Sequence, residues 1–234
     1  MKRIAIVQSN YIPWKGYFDM IAQVDEFVFL DDVQYTRRDW RNRNRIKTAH
    51  GTRWLTIPVR ARGRYLQRID ETLVQDSRWA AEHWKGIIHA YSGAAQFRRY
   101  RDRFAHVYEE CAAEEHLSRI NRRLIDAVCD VLGIDTVLRC STEYEAEGVK
   151  TDRLLNICRE SGADEYLSGP RARAYLDGRA FEEAGIRVHW ADYSGYREYP
   201  QVHPPFDHYV TVLDLIFNVG DEASEYMKAA RLGI

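Results

Sequence analysis

Apolar positions change period several times along the chain, and those changes divide it into elements. Ile4-Ala5-Ile6-Val7 and Phe27-Val28-Phe29-Leu30 are short continuous apolar runs, the pattern of strands buried on both faces. Between them Tyr17, Phe18, Ile21 and Ala22 fall at helical spacing within residues 16–24, which makes a βαβ unit. Residues 52–59 alternate, and Pro58 confines them to a strand end or an edge. From Asp76 the spacing turns helical through Trp79, His83, Ile87 and Tyr91, and residues 97–111 and 117–132 continue it, the last helix closed by Gly133. Strands at 136–138, 165–168 and 186–190 then alternate with helices at 151–161 and 181–184, and two terminal helices are expected at 212–217 and 222–230. The pattern predicts one α/β domain over residues 1–234, built on a mostly parallel Rossmann-like sheet, with residues 76–133 as a helical insertion or side lobe.

Each of the first two strands runs into a polar, aromatic-rich loop, and the carboxyl ends of parallel strands are where such sheets bind ligands. Gln8, Asn10, Tyr11, Trp14, Gly16 and Tyr17 follow the first strand, and Asp31, Asp32, Gln34 and Tyr35 the second. Tyr11 and Trp14 read as stacking walls or as a lid on the core. Gly16 either permits close backbone approach or starts a helix. Asp31 and Asp32 point to opposite sides in strand geometry, so one of them should face the crevice, as a general base on an amine, a Mg²⁺ ligand or an acceptor for a hydroxyl. Ser168, Gly169 and Arg171 end a later strand and should open on the same edge of the sheet. No G-x-S-x-G turn surrounds Ser168.

Charge adds a second candidate surface. The net charge is −1, yet between Arg37 and Arg68 there are eleven Lys or Arg and one acid, Asp39. Arg41, Arg43, Arg45 and Lys47 alternate, which lines one face of an extended segment with forked donors suited to phosphate, with Arg43 and Arg45 the chosen pair. With Tyr35, Trp40 and Trp54 interleaved, the same strip suits single-stranded RNA, although overall neutrality counts against a nucleic-acid partner. Four widely spaced cysteines, no metal-ligand spacing among the histidines and no run near 20 apolar residues point to a reduced, cytoplasmic protein without a metal site or a membrane span.

Several segments together resemble the WbqC-like family: residues 8–18, Leu30-Asp31-Asp32-Val33-Gln34-Tyr35, Arg41-Asn42-Arg43-Asn44-Arg45-Ile46, Trp54-Leu55-Thr56-Ile57-Pro58-Val59 and, later, Tyr166-Leu167-Ser168-Gly169-Pro170 and Val212-Leu213-Asp214-Leu215. Ser9 departs from the usual Gln-Pro-Asn-Tyr. The resemblance implies a biosynthetic transferase or ligase in polysaccharide, including O-antigen, or natural-product pathways, transferring an aminoacyl or glycyl group to form an amide on a nucleotide-linked amino sugar. The donor would be activated by ATP with Mg²⁺, as an aminoacyl thioester with a carrier protein as a partner, or as an aminoacyl-tRNA. The first βαβ unit also looks like that of nucleotidylyltransferases, with Tyr17 where those carry a histidine. A non-catalytic RNA- or anionic-ligand-binding module is the competing expectation.

Overall fold

The computed structural model describes residues 1–229. β1 (Arg3–Val7) leads through α1 (Lys15–Ala22) to β2 (Glu26–Phe29), and a hairpin of β3 (Arg43–Thr48) and β4 (Gly51–Thr56) follows. Helices α2 (Arg78–Tyr91), α3 (Phe97–Ala112) and α4 (Leu117–Leu132) precede β5 (Val137–Cys140), α5 (Thr151–Glu160), β6 (Glu165–Ser168), α6 (Gly178–Glu183), β7 (Arg187–Trp190) and α7 (Val212–Val219).

Five strands form a parallel sheet in the order β5-β2-β1-β6-β7. The chain builds outward from β1 to β5, then crosses to the other side for β6 and β7, so the order reverses between β1 and β6. That reversal leaves a crevice at the carboxyl edge. The pairings Val7↔Phe29 and Ala5↔Leu167 bring the loops after β1, β2 and β6 out at this one edge.

Strand alternation sorts the side chains between two cores. Ala5, Phe27, Phe29 and Leu167 face a core shared with Phe104, Ile120, Leu124, Val128 and Phe217 of the helices. Ile4, Ile6, Val28 and Tyr166 face the other way, onto Leu154, Ile157 and Cys158 of α5 and Phe181 of α6. Each fully buried side chain of this kind is worth about 1.5–3 kcal/mol over leaving it in water. α4 shows why the helices commit: Leu117, Ile120, Leu124 and Val128 make one buried stripe, and Gly133, at φ 65°, ends the helix in the left-handed region.

Two elements differ from the pattern reading. The alternating strand after residue 51 is not a member of the parallel sheet; it pairs antiparallel with the basic run, Arg45 opposite Trp54. Beyond α7, Gly220 at φ 62° breaks the helix and a 3-10 segment, Gly220–Tyr226, replaces the expected terminal α-helix, whose last residue, Ala230, lies outside the described residues.

Candidate functional site

Over the crevice between β1 and β6 lies a pocket of about 370 Å³ lined by Asn10, Pro13, Trp14, Trp40, Asn44, Arg45, Arg171, Tyr193 and Tyr209. Its walls are aromatic: the Trp14 ring lies 5.3 Å from Tyr193, edge-on, and 5.7 Å from Tyr209. Gly16 makes room for that ring, since a β-carbon there would lie 2.4 Å from it. The close approach expected at Gly16 is therefore made by the indole of Trp14. Next to Trp14, the buried Lys15 reaches over the rings of Tyr196 and Tyr199, at 5.0 and 4.9 Å, and donates to the Arg197 carbonyl. Tyr196 in turn donates to Asp19 at 2.6 Å. These contacts hold the 193–199 segment, and with it Tyr193, against the start of α1.

The Arg-Asn alternation explains the polar side of the pocket. On β3 and just before it the asparagines point inward: Asn44 donates to the carbonyls of Tyr11 and Ile12, and Asn42 to that of Ile57. The arginines point outward. Arg45 reaches the Tyr209 carbonyl at 2.7 Å and lines the pocket, whereas Arg43 stacks 4.2 Å over Trp54 and borders a separate groove with Tyr35. Arg41 donates to both Gln8 Oε1 and Asn10 Oδ1, which fixes the turn after β1.

On the other side of that turn a larger cleft of about 570 Å³ opens between the ends of β2 and β5 and the start of α4. Both Asp31 and Asp32 border it, whereas strand periodicity turned one of them away. Past β2 the chain has left strand geometry, so the alternation no longer applies. The buried Asp31 accepts the Ser9 N–H at 2.8 Å. Burial raises its pKa from the ordinary carboxylate value to about 6, outweighing the Ser9 hydrogen bonds and the Arg41 charge. Asp32 accepts from Ser141 Oγ at 2.6 Å and pairs with Arg153 of α5. A carboxylate tuned near neutrality can exchange a proton, whereas Asp32 is fixed in place by a hydroxyl and a guanidinium.

Of the residues singled out in the sequence, Asn10, Trp14, Arg45 and Arg171 meet in the smaller pocket, and Asp31 and Asp32 in the larger cleft. Others belong elsewhere. Tyr11 is no wall: it is fully buried, its hydroxyl 2.8 Å from both His83 Nδ1 and Tyr108 Oη. Tyr17 is buried against Phe27 and donates to the Gln8 carbonyl, so it shapes the turn from beneath. Gln34 is exposed and bonds to the Tyr65 carbonyl. Ser168 is buried, its carbonyl taken by the Ala191 N–H, and Gly169 caps the 3-10 turn Pro170–Ala174 that presents Arg171. The sequence reading placed Trp40 only on the basic strip and passed over Asn44, Tyr193 and Tyr209 as site residues. The signal available was the run of tyrosines at 193, 196, 199 and 209 in a stretch without periodicity.

The chain matches the model of the WbqC-like protein family over residues 8–226. It is 53% identical over 233 residues to the uncharacterized protein Rv1507c of Mycobacterium tuberculosis (strain ATCC 25618 / H37Rv), a match covering 99% of this chain and 100% of that protein. No solved structure matches the chain.

Proposed function

This chain belongs to the WbqC-like protein family, and from that premise and the geometry of its clefts we propose that it is a biosynthetic transferase or ligase forming an amide on a nucleotide-linked amino sugar. The observation that supports this most is the smaller pocket, which Trp14, Tyr193 and Tyr209 line together with Arg45 and Arg171. Aromatic faces stack on a base or on the C–H face of a sugar, and guanidinium forks match phosphate oxygens. Asn10, its oxygen held by Arg41, has its NH₂ group to offer a sugar hydroxyl. Among the described residues no group of three or more His, Cys, Asp or Glu could hold a metal ion. Donor activation by ATP would therefore bring its Mg²⁺ on the phosphates, whereas an aminoacyl thioester needs none. Asp31, with a pKa of about 6, suits removal of a proton from an amine that reaches the larger cleft on the other side of the turn.

Titration calorimetry with UDP- and dTDP-linked amino sugars tests the reading. Binding is expected, with Arg171→Ala weakening it about tenfold or more, the scale of one lost charge-assisted contact. Affinity unchanged in Arg171→Ala and in Trp14→Ala would remove the pocket from the reaction. Mass spectrometry of the sugar then reports the amide, and Asp31→Asn should suppress it.

One observation favours the RNA reading. Trp40 and Trp54 are 38% and 43% exposed with their rings 5.3 Å apart, beside Arg43, on the hairpin surface. Salt separates the two: RNA affinity falls log-linearly with salt concentration, and a compact pocket responds far less.

A further inference from the structure

The larger cleft brings carboxylates and guanidinium groups together. Its acidic side comes from the end of β2, where Asp31 is buried and Asp32 half-buried. The first turns of α4 bring Arg119, Arg122 and Arg123 to the cleft on one helix face, with Asp126 and Glu114 beside them as their partners and Asp70 also in the lining. These arginines have different duties. Arg122 is a structural member, bonded to Asp126 at 2.8 Å and to the Leu138 carbonyl, with its guanidinium 5.1 Å over the Phe29 ring. Arg119 and Arg123 have longer contacts, Glu114 at 3.9 Å and the exposed Glu110 at 3.3 Å, so both can turn to a ligand. The 16-residue helix adds the positive end of its dipole here, and its N-cap residue, His116, makes no side-chain cap.

We propose that this cleft binds an α-amino acid as the zwitterion, its ammonium on the Asp31 and Asp32 side and its carboxylate on the Arg119 and Arg123 side. A polyphosphate fits less well, because the two aspartates would repel it. The acids also do not gather as a metal site among the described residues. An ammonium with three donors, by contrast, matches carboxylates spread along one wall. At about 570 Å³ the cleft has space for a large side chain as well. The inference deepens the proposed function, on which it rests for the use made of the amino acid, but it stands on residues separate from the aromatic pocket.

The test is equilibrium binding of the standard free amino acids to the full chain, followed for each binder by its N-acetyl derivative and its carboxamide. At least one amino acid should bind at millimolar concentration. Removing the ammonium or the carboxylate should each weaken it about tenfold or more, the scale of a lost charge-assisted bond. Arg123→Ala, at an exposed position, should cause a similar loss without changing the fold by circular dichroism, and Asp31→Asn should lower affinity from the opposite side. Nucleotide-sugar binding should survive Arg123→Ala. Failure of every amino acid to bind, or equal affinity for the N-acetyl and free forms, would overturn the proposal. If nucleotide sugars bind under those conditions, only this inference falls; if amino acids bind and nucleotide sugars do not, it is the sugar reading that falls.

Discussion

At Gly16 the space for a methyl group is already filled by the ring of Trp14. Gly16→Ala must therefore push the indole outward, and with it the wall shared with Tyr193 and Tyr209. The helix itself gains from alanine. The expected result is unchanged far-UV circular dichroism with nucleotide-sugar affinity reduced about tenfold, the upper scale of one aromatic stacking contact. Retained affinity in a calorimetric titration would show that the ring position does not matter. Ser9 makes a similar local point. Its N–H is the donor that Asp31 accepts, and the proline usual in the family has none to give.

At the scale of elements, the hairpin carries opposite constraints on its two faces. The Asn44 side chain satisfies two loop carbonyls and accepts the Arg45 N–H at 2.7 Å, all in the interior. Asn44→Ala should therefore destabilise the chain by about 1–3 kcal/mol, while Arg43→Ala on the outer face should stay nearer 0.5 kcal/mol; urea midpoints compare them directly. The strand-helix alternation and the loops at the sheet edge were legible in the sequence because period and punctuation are local signals. So was the arginine face of the extended segment. The inward asparagines were not, since alternation says which residues share a face but not which face is buried. Tyr11 was misread for a related reason: a loop tyrosine looks the same whether its hydroxyl meets a ligand or, as here, partners 72 and 97 residues away. Tyr193 and Tyr209 entered the pocket from the far end of the chain, which no pattern near Trp14 announces.

For the whole molecule, buried titratable groups set a pH dependence whose sign follows from their shifts. Burial raises Asp31 and Asp214 from 3.8 to about 6, so each contributes stability that is present at low pH and lost as pH rises through about 6. Burial lowers His83 from 6.5 to about 4, so its contribution is present above 6.5 and lost as pH falls through about 4. Between those limits the folded chain holds two protons that the unfolded chain lacks, and lacks one that the unfolded chain holds. Among these three groups the folded chain holds one net extra proton, so stability rises as pH falls from about 6 to 4.5. Asp126, also raised, and His208, lowered, act in the same two opposing directions from more exposed positions. Denaturation midpoints at several pH values should show the rise in the parent chain, and Asp214→Asn should nearly flatten it. A parent chain that loses stability steadily over this range would contradict the assignment.

The sheet closes on neither side. β5 and β7 stand at its ends, a position that in many proteins invites aggregation, and on β5 the Leu138 carbonyl is already taken by Arg122. Here each end strand is only four residues long and carries an arginine paired back across the sheet, Arg139 3.8 Å from Glu26 and Arg187 3.3 Å from Glu165. A neighbouring molecule seeking to extend the sheet meets a short template and a fixed positive charge at either end. The same ion pairs that knit the outer strands to the inner ones thus guard the chain against stacking into fibrils when it is concentrated.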